Sequence, residues 1–231
     1  MGIHVRGNSG EVAETVLLPG DPDRATVIAE SFLEDVICYT SYRRMYGYTG
    51  YYRGQRVSVQ ATGMGGPSAA IVCEELLGLG AKFFIRVGTC GAMQAGMGHG
   101  DLVLAQGVCA MDGVPAQIFG GPGFSPLSDF EFLRRCCSTA ESSGIRYHVG
   151  NVASMDLFYS PDLSVYEKLK SYGILAVEME ASTVLTIAAR SGVKGAAVFT
   201  VSDVIEGEVR ASEDVIESGV VRMLETVLQS L

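Results

Sequence analysis

The chain has 231 residues, of which 48% are hydrophobic and 19% charged. This composition excludes disordered and collagen-like proteins and predicts one domain covering residues 1–231. Lysine and arginine number 17 against 26 aspartate and glutamate, for a net charge of −9, so we expect no binding to nucleic acid or anionic membranes. We find no secretion signal and no apolar run of membrane-spanning length, and the six cysteines form no CxxC pair. These features predict a cytoplasmic protein with reduced core thiols and neither a zinc site nor a disulfide framework.

Strand and helix patterns alternate along the chain. Short β-branched runs predict strands at 16–18, 83–87, 101–105 and 196–201, and helical patterns lie at 22–32, 67–80, 128–143, 179–192 and 212–231. Residues 48–60 indicate a hairpin that turns at Arg53-Gly54. We therefore expect an α/β fold with a mixed, twisted central sheet flanked by helices. The glycine- and proline-rich segment 113–127 is expected to be a surface loop bordering a site.

The segment LPGDPDRA at 18–25 ends a predicted strand at Gly20 and starts a helix capped by Asp21, with Pro22 in the first turn. The N–H groups of a helix N-terminus attract anions, and Arg24 adds positive charge. An arginine in a first turn opposes the helix dipole, which indicates an anion between them. An ordinary helix cap is the alternative interpretation.

Two glycine-rich turns follow. GMGGPS at 63–68 resembles a dinucleotide-binding fingerprint but has Ser68 in place of the third glycine, so it is weak support for a cofactor site. IRVGTCGA at 85–92 places Arg86 in an apolar strand just before a turn. A buried guanidinium needs an anionic partner, whereas an arginine that emerges at the sheet edge needs none.

Carboxylates interrupt two apolar segments. Glu178 and Glu180 in VEMEAS would share one face of an extended strand, about 7 Å apart. They could form an acid/base pair or bind vicinal hydroxyl groups, and a solvent-facing edge is the alternative. FTVSD at 199–203 ends a buried strand at Ser202-Asp203, where either an active-site acid or a helix cap is expected.

Taken in order, these motifs resemble the nucleoside phosphorylase family, specifically its hexameric bacterial-type purine nucleoside phosphorylases. The likeness extends over almost the whole chain, through His4, LPGDPDRA, YRRMYGYTG, TGMGGPS, RVGTCGA, SMDLFYSPD, VEMEAS and VSD. It implies reversible phosphorolysis of purine ribonucleosides or deoxyribonucleosides to the free base and the sugar 1-phosphate, without a metal or an organic cofactor. The expected partners are therefore a purine nucleoside and inorganic phosphate.

The resemblance also assigns residues by motif. Phosphate would be bound by Gly20, Arg24, Arg86, Val87, Gly88 and Thr89, together with Arg43 of a neighbouring subunit. The nucleoside would be bound by Phe158, Glu178, Met179, Glu180, Ser202 and Asp203, together with His4 of the neighbour. Because two residues are borrowed, we expect a homodimer as the catalytic unit, assembled into a homohexamer.

Asp203 would be the general acid that protonates the purine at N7 as the glycosidic bond breaks. In related proteins an arginine on the following helix assists this aspartate. Ungapped placement gives Ile216 at that position and a short deletion gives Ser212, so Arg210 is the nearest arginine. This departure leaves open how the leaving group is activated and whether 6-oxo or 6-amino purines are preferred.

Three other functions compete with this prediction. A nucleosidase of the same fold would use water in place of phosphate, but the three arginines argue against it. A uridine phosphorylase is disfavoured because no glutamine-arginine pair suited to uracil precedes Phe158. A non-catalytic nucleoside sensor would need no proton donor such as Asp203.

Overall fold

The computed structural model describes residues 2–120, 123–207 and 209–231. Within these ranges one ten-stranded sheet is flanked by seven α-helices. The strands are β1 Thr15–Leu18, β2 Glu34–Thr40, β3 Gly47–Tyr52, β4 Gln55–Gln60, β5 Phe83–Ala92, β6 Leu102–Ala110, β7 Tyr147–Ser154, β8 Ala176–Glu178, β9 Lys194–Val204 and β10 Val209–Arg210. The helices are α1 Pro22–Phe32, α2 Gly66–Gly78, α3 Gly113–Phe119, α4 Phe130–Ser142, α5 Ser164–Ser171, α6 Ala181–Arg190 and α7 Glu213–Gln229.

The sheet is mixed, as predicted. Its strand order is β10-β9-β6-β7-β8-β5-β1-β4-β3-β2, and β9 also pairs with β5, so that β5, β9, β6, β7 and β8 close into a ring. Strand β5 lies parallel to both β1 and β9, whereas β6 and β9 are antiparallel. The carboxyl ends of β1, β5 and β9 therefore meet at one edge, which is where ligands bind in open parallel sheets.

Consecutive residues of the central strands face opposite layers. Leu17 and Ile85 pack in a core with α1, α4 and α7, whereas Leu18 and Phe84 pack in a second core with α2 and α6. Successive side chains of a strand point to opposite faces, so apolar residues at consecutive positions indicate a strand that is buried on both faces. It confirms the expected α/β architecture, with helices covering both sides of the sheet.

The five predicted helices are all present, with ends that differ by at most two residues from the prediction. Asp21 caps α1 by accepting the N–H of Asp23 at 2.9 Å. The hairpin is also confirmed, because Arg53 and Gly54 have φ values of 50° and 80°, as a type I′ turn requires.

The prediction of a surface loop at 113–127 is wrong over its first half. Residues Gly113–Phe119 form α3, which Asp112 precedes as N-cap and Gly120 ends in the left-handed conformation, with φ 70°. Pro115 lies in the first turn, where a missing N–H costs no hydrogen bond. Residues 121 and 122 of this segment lie outside the described ranges.

The cysteines only partly follow the expectation of core thiols. Cys73, Cys90 and Cys136 are buried, but Cys38 is exposed because it lies on the outermost strand β2. Among the helices described, none combines the length and the apolar character needed to cross a membrane.

Candidate functional site

The candidate site lies where β1, β5 and β9 end. The pairing of Leu18 with Arg86 places Gly20 beside the middle of β5. The expectation of a turn just after Arg86 is wrong, because the residues that follow continue the strand to Ala92 and pair with β9. On the other side of β5, Thr89 pairs with Thr200, and Gly91 pairs with Asp203. The sequence-predicted segments LPGDPDRA, IRVGTCGA and FTVSD are thus brought together at one sheet edge.

Two glycines make room for the guanidinium group of Arg86. A Cβ atom on Gly88 would lie 2.8 Å from Nη2, and one on Gly20 would lie 3.4 Å from Nη1. A side chain at position 88 would therefore displace the guanidinium group. Arg86 is only 5% exposed, and Nη1 donates to the carbonyl oxygen of Leu18 at 3.2 Å.

The anionic partner of Arg86 within the chain is Glu180. Nη2 of Arg86 donates to Oε2 of Glu180 at 2.5 Å, and the backbone N–H of Gly65 donates to Oε1 at 2.6 Å. Glu180 is 4% exposed. Nε of Arg86 is buried, has no hydrogen-bond partner among the described residues, and lies 3.9 Å from Oε2 of Glu178. The predicted need of a buried arginine for an anion is thus confirmed, and GMGGPS supplies a donor to the same carboxylate.

Glu178 has a different environment from Glu180. Its carboxylate accepts the hydroxyl of Ser154 and the backbone N–H groups of Glu180 at 2.8 Å and Ala181 at 2.9 Å, so it caps α6. Burial and the charge of Glu180 raise the pKa of Glu178 to about 7, against the opposing effect of Arg86. The sequence did not reveal Ser154, although it starts the SMDLFYSPD motif.

The expectation that Glu178 and Glu180 share a strand is wrong. Strand β8 ends at Glu178, and Glu180 has φ −137° and ψ −22° as the N-cap of α6. Both carboxylates are nevertheless buried, with the half-buried Met179 between them. The start of a helix, where N–H groups lack partners, replaces the extended segment that alternation predicted.

Asp203 lies beside a β-bulge. The register between β5 and β9 shifts between Cys90 and Gly91, which leaves Ser202 without a counterpart on β5. A bulge redirects the side chain that follows it. The hydroxyl of Ser202 donates to Oδ2 of Asp203 at 2.6 Å.

Arg210 contacts the predicted general acid directly. It pairs with Asp203 across β9 and β10, and its Nη1 donates to the two carboxylate oxygens at 3.2 and 3.1 Å. The two positions where the resemblance places the helper arginine hold other residues: Ile216, which is in the core, and Ser212, which is the N-cap of α7. Neither residue can act as the helper. The nearest arginine in sequence is thus the one at the carboxylate.

Arg24 contributes a second positive group at the same edge. Within the ranges that the structure describes, its half-buried side chain has no hydrogen-bond or ion-pair partner. Burial lowers the pKa of Arg24; the charges of Arg86 and Arg210 also lower it, while Asp21 and Glu213 oppose the shift. Arg86 and Arg210 are paired with Glu180 and Asp203, so Arg24 is the guanidinium group of this region whose charge has no partner within the described residues and can attract an anion.

The remaining predicted phosphate ligands of this subunit, apart from Gly20, lie on β5. Thr89 is half-buried at the carboxyl end of the strand, whereas Val87 and Gly88 are buried and pair with Val198 and Phe199 of β9. Of the three, only Thr89 offers a side-chain hydroxyl to the site.

Three predicted residues lie away from this buried cluster. Phe158 is 65% exposed, and its ring packs edge-on against Tyr159 with centroids 5.0 Å apart. His4 and Arg43 line a separate surface cavity with Met45. The structure of a single subunit does not bring these three side chains to Arg86 and Asp203.

The backbone at Arg43 is strained. Arg43 and Arg44 have φ values of 56° and 61°, both in the left-handed region that residues with a Cβ atom rarely adopt. Such strain is concentrated at active sites and ligand-binding segments. The conformation projects consecutive arginines from the turn between β2 and β3.

Known proteins resemble this chain over nearly its whole length. The family model described as the phosphorylase superfamily matches residues 14–229. The chain is 45% identical over 231 residues to the DeoD-type purine nucleoside phosphorylase of Clostridium novyi (strain NT), covering 99% of each protein. It is also 45% identical over 216 residues to the proteins of the same name from Bacillus cereus (strain ZK / E33L) and Bacillus thuringiensis (strain Al Hakam), covering 93% of this chain and 92% of each relative. The chain therefore belongs to the phosphorylase superfamily.

Proposed function

We propose that this protein is a purine nucleoside phosphorylase, a pentosyltransferase that converts a purine nucleoside and phosphate into the free purine and a sugar 1-phosphate. The observation that carries the proposal is the convergence of Arg24, Arg86 and Arg210 on the strand edge that also holds Asp203. The names of the relatives at 45% identity give the substrate class.

Phosphate binds between α1 and the carboxyl end of β5. Arg24 has no partner within the described part of the chain, Gly20 leaves space beside Arg86, and Thr89 offers a hydroxyl. Val87 and Gly88 both pair with β9, and because successive N–H groups of a strand point to opposite sides, one N–H of the two completes the set from this subunit. Arg43 of a neighbouring subunit adds a further positive charge.

The sugar binds next to the phosphate. Glu180 is bound to Arg86, so it lies beside the phosphate site and can accept hydrogen bonds from ribose hydroxyls. Met179 packs against the sugar. Glu178 lies behind Met179, where its carboxylate caps α6. His4 of the neighbour lies at the 5′-hydroxyl, and Phe158 stacks on the base after the exposed segment around it closes.

Asp203 donates a proton to N7 of the purine. Cleavage of the glycosidic bond leaves a cation-like sugar, which phosphate stabilises, and an anionic base, which the proton neutralises. Arg210 holds the carboxylate in place and stabilises the charge that remains after the proton has left. Ser202 orients the same group.

A site that borrows His4 and Arg43 requires at least a homodimer, and we propose a cytoplasmic homohexamer built from three such dimers. His4 and Arg43 lie together on one surface cavity, which suits donation to one neighbouring site. The reaction needs no metal or organic cofactor, because phosphate is the nucleophile and Asp203 supplies the proton.

Incubation with inosine, adenosine and guanosine, each with and without phosphate, tests the proposed function. We expect free purine and ribose 1-phosphate in the presence of phosphate only. Base release without phosphate would indicate a nucleosidase, binding without turnover would indicate a sensor, and turnover of uridine in preference to purines would indicate a uridine phosphorylase.

A further inference from the structure

The carboxylate of Glu75 on α2 organises the N-terminal segment. Its Oε2 accepts the backbone N–H groups of His4 at 2.8 Å and Val5 at 2.6 Å, and its Oε1 lies 2.9 Å from Nδ1 of the His4 imidazole. The Glu75 side chain is 16% exposed. One carboxylate thus fixes both the backbone and the ring of His4.

These hydrogen bonds favour an ionised Glu75. Burial alone would raise its pKa, but the bonds from His4, Val5 and Ile3 outweigh burial and lower it. An ionised carboxylate accepts hydrogen bonds only, so Nδ1 of His4 must carry the proton in this pair. No hydrogen bond to the second ring nitrogen, Nε2, is formed by residues 2–120, 123–207 or 209–231, so it can face another group.

The position of His4 fits a contact outside its own subunit. Val5 is buried and anchors the segment, whereas the His4 side chain is 34% exposed and lines the cavity that also contains Arg43. A carboxylate that fixes the tautomer and direction of a histidine is a recurrent device where the other nitrogen binds a ligand.

We propose that Glu75 is a positioning residue that directs Nε2 of His4 toward the 5′-hydroxyl of the nucleoside in the neighbouring subunit, and thereby sets the preference for substrates that carry this hydroxyl. This inference rests on the proposed function, in which His4 is shared between subunits. It adds a residue that itself touches no substrate.

The variant Glu75→Gln tests the proposal, because glutamine keeps the size of the side chain but loses the charge that fixes the ring. We expect kcat/KM for inosine to fall by about 3- to 10-fold, the range of one hydrogen bond, and kcat/KM for 5′-deoxyinosine to change by less than about 2-fold. The matched control is Glu74→Gln, the adjacent exposed residue that pairs with Arg190. It should leave unchanged the ratio of kcat/KM for inosine to kcat/KM for 5′-deoxyinosine.

His4→Ala separates the inference from the proposed function. We expect it to abolish the same preference for inosine, and Glu75→Gln added to His4→Ala to cause no further change in the ratio. A ratio altered by His4→Ala but not by Glu75→Gln would overturn the role of Glu75 alone. A ratio that His4→Ala leaves unchanged would overturn the placement of His4 and the inference with it.

An equal loss for both substrates in Glu75→Gln would assign Glu75 a purely structural role and contradict the proposal. Each ratio is measured on one preparation whose oligomeric mass matches the wild type, so a loss of assembly cannot imitate the expected result. If Glu75→Gln does not fold, Glu75→Asp retains the charge on a shorter side chain and should shift the ratio in the same direction.

Discussion

The two halves of the candidate site differ in how far a single subunit completes them. In the buried half, Arg86 and Glu180 already bind one another at 2.5 Å, and both are at most 5% exposed. In the surface half, His4, Arg43 and Phe158 lie away from that pair, and Phe158 is 65% exposed. The buried half is preorganised by the fold, whereas the proposed function needs a neighbour and movement of an exposed segment to complete the surface half.

This difference assigns separate tasks to the two halves. Groups that stabilise charge in a transition state act best when they are fixed and shielded from water, which describes Arg86 and Glu180. Groups that admit and release substrate must open, and exposed segments open at little cost. Variants in the buried half should therefore affect chemistry and stability together, and variants in the surface half should affect binding.

The largest effect is expected from removal of Asp203, the proposed general acid. Asp203→Ala should lower the turnover of inosine by about 10²–10⁴-fold, the usual contribution of general acid catalysis. A 7-methylated purine nucleoside already carries a positive charge and needs no proton at N7, so its turnover should fall much less. Equal losses for the two substrates would mean that Asp203 positions the base without protonating it.

Arg86→Ala and Arg24→Ala form a pair that separates phosphate binding from stability. Each should weaken phosphate binding by about 10- to 150-fold, since a charged hydrogen bond contributes ~1.5–3 kcal/mol. Only Arg86→Ala should also lower Tm, because it leaves the buried Glu180 without its partner. Titration with phosphate and with free purine, alongside thermal melting, measures both effects. Equal weakening of both ligands by either variant would make that arginine structural.

A smaller effect is expected at Arg210, whose side chain is 55% exposed. Arg210→Ala should lower inosine turnover by about 2- to 10-fold, because an exposed ion pair contributes only ~0.2–1 kcal/mol and an exposed charged hydrogen bond adds to it. The 7-methylated substrate should be unaffected. Unchanged inosine kinetics would show that Asp203 acts without an arginine.

The smallest effect concerns the pH dependence of stability at Glu178. Its pKa of about 7 in the folded protein exceeds the ordinary value of 4.5, so the folded state binds the extra proton between these values. The contribution of Glu178 to stability is therefore fully present below about pH 4.5 and is lost as pH rises through 7. The Tm of the wild type, measured relative to the Tm of Glu178→Gln, should fall between pH 5 and pH 8. The Tm difference between the wild type and an exposed control, Glu74→Gln, should not change over this range. A difference that is independent of pH would contradict the raised pKa.

The sequence predicted the buried half of the site well for physical reasons. An arginine within an apolar strand and carboxylates within an apolar segment are costly unless they are paired, so Arg86 and Glu180 stand out from the residue pattern alone. Their mutual pairing was not predictable, because 94 residues separate them and only the tertiary fold brings them together. The role of Glu178 as a helix cap was hidden for the same reason, since its partner Ser154 lies on β7.

The surface half carried much weaker signals. A histidine at position 4 and an exposed phenylalanine have no pattern that separates them from ordinary surface residues, so His4 and Phe158 were found by resemblance alone. The helix α3 was missed because glycine and proline suggested a loop, although both are tolerated at helix ends.

The central claim, that each active site takes Arg43 from a neighbour, is tested most directly by mixing two inactive subunits. Arg43→Ala and Asp203→Ala each disable their own homodimer, but a mixed dimer contains one site with an intact Asp203 and the neighbour's intact Arg43. After equal mixing and confirmed subunit exchange, about one quarter of the sites should be intact, because half of the dimers are mixed and each restores one of its two sites. Recovery of phosphorolysis toward that fraction is the predicted result. No recovery despite confirmed exchange would show that Arg43 acts within its own subunit and would contradict the shared site.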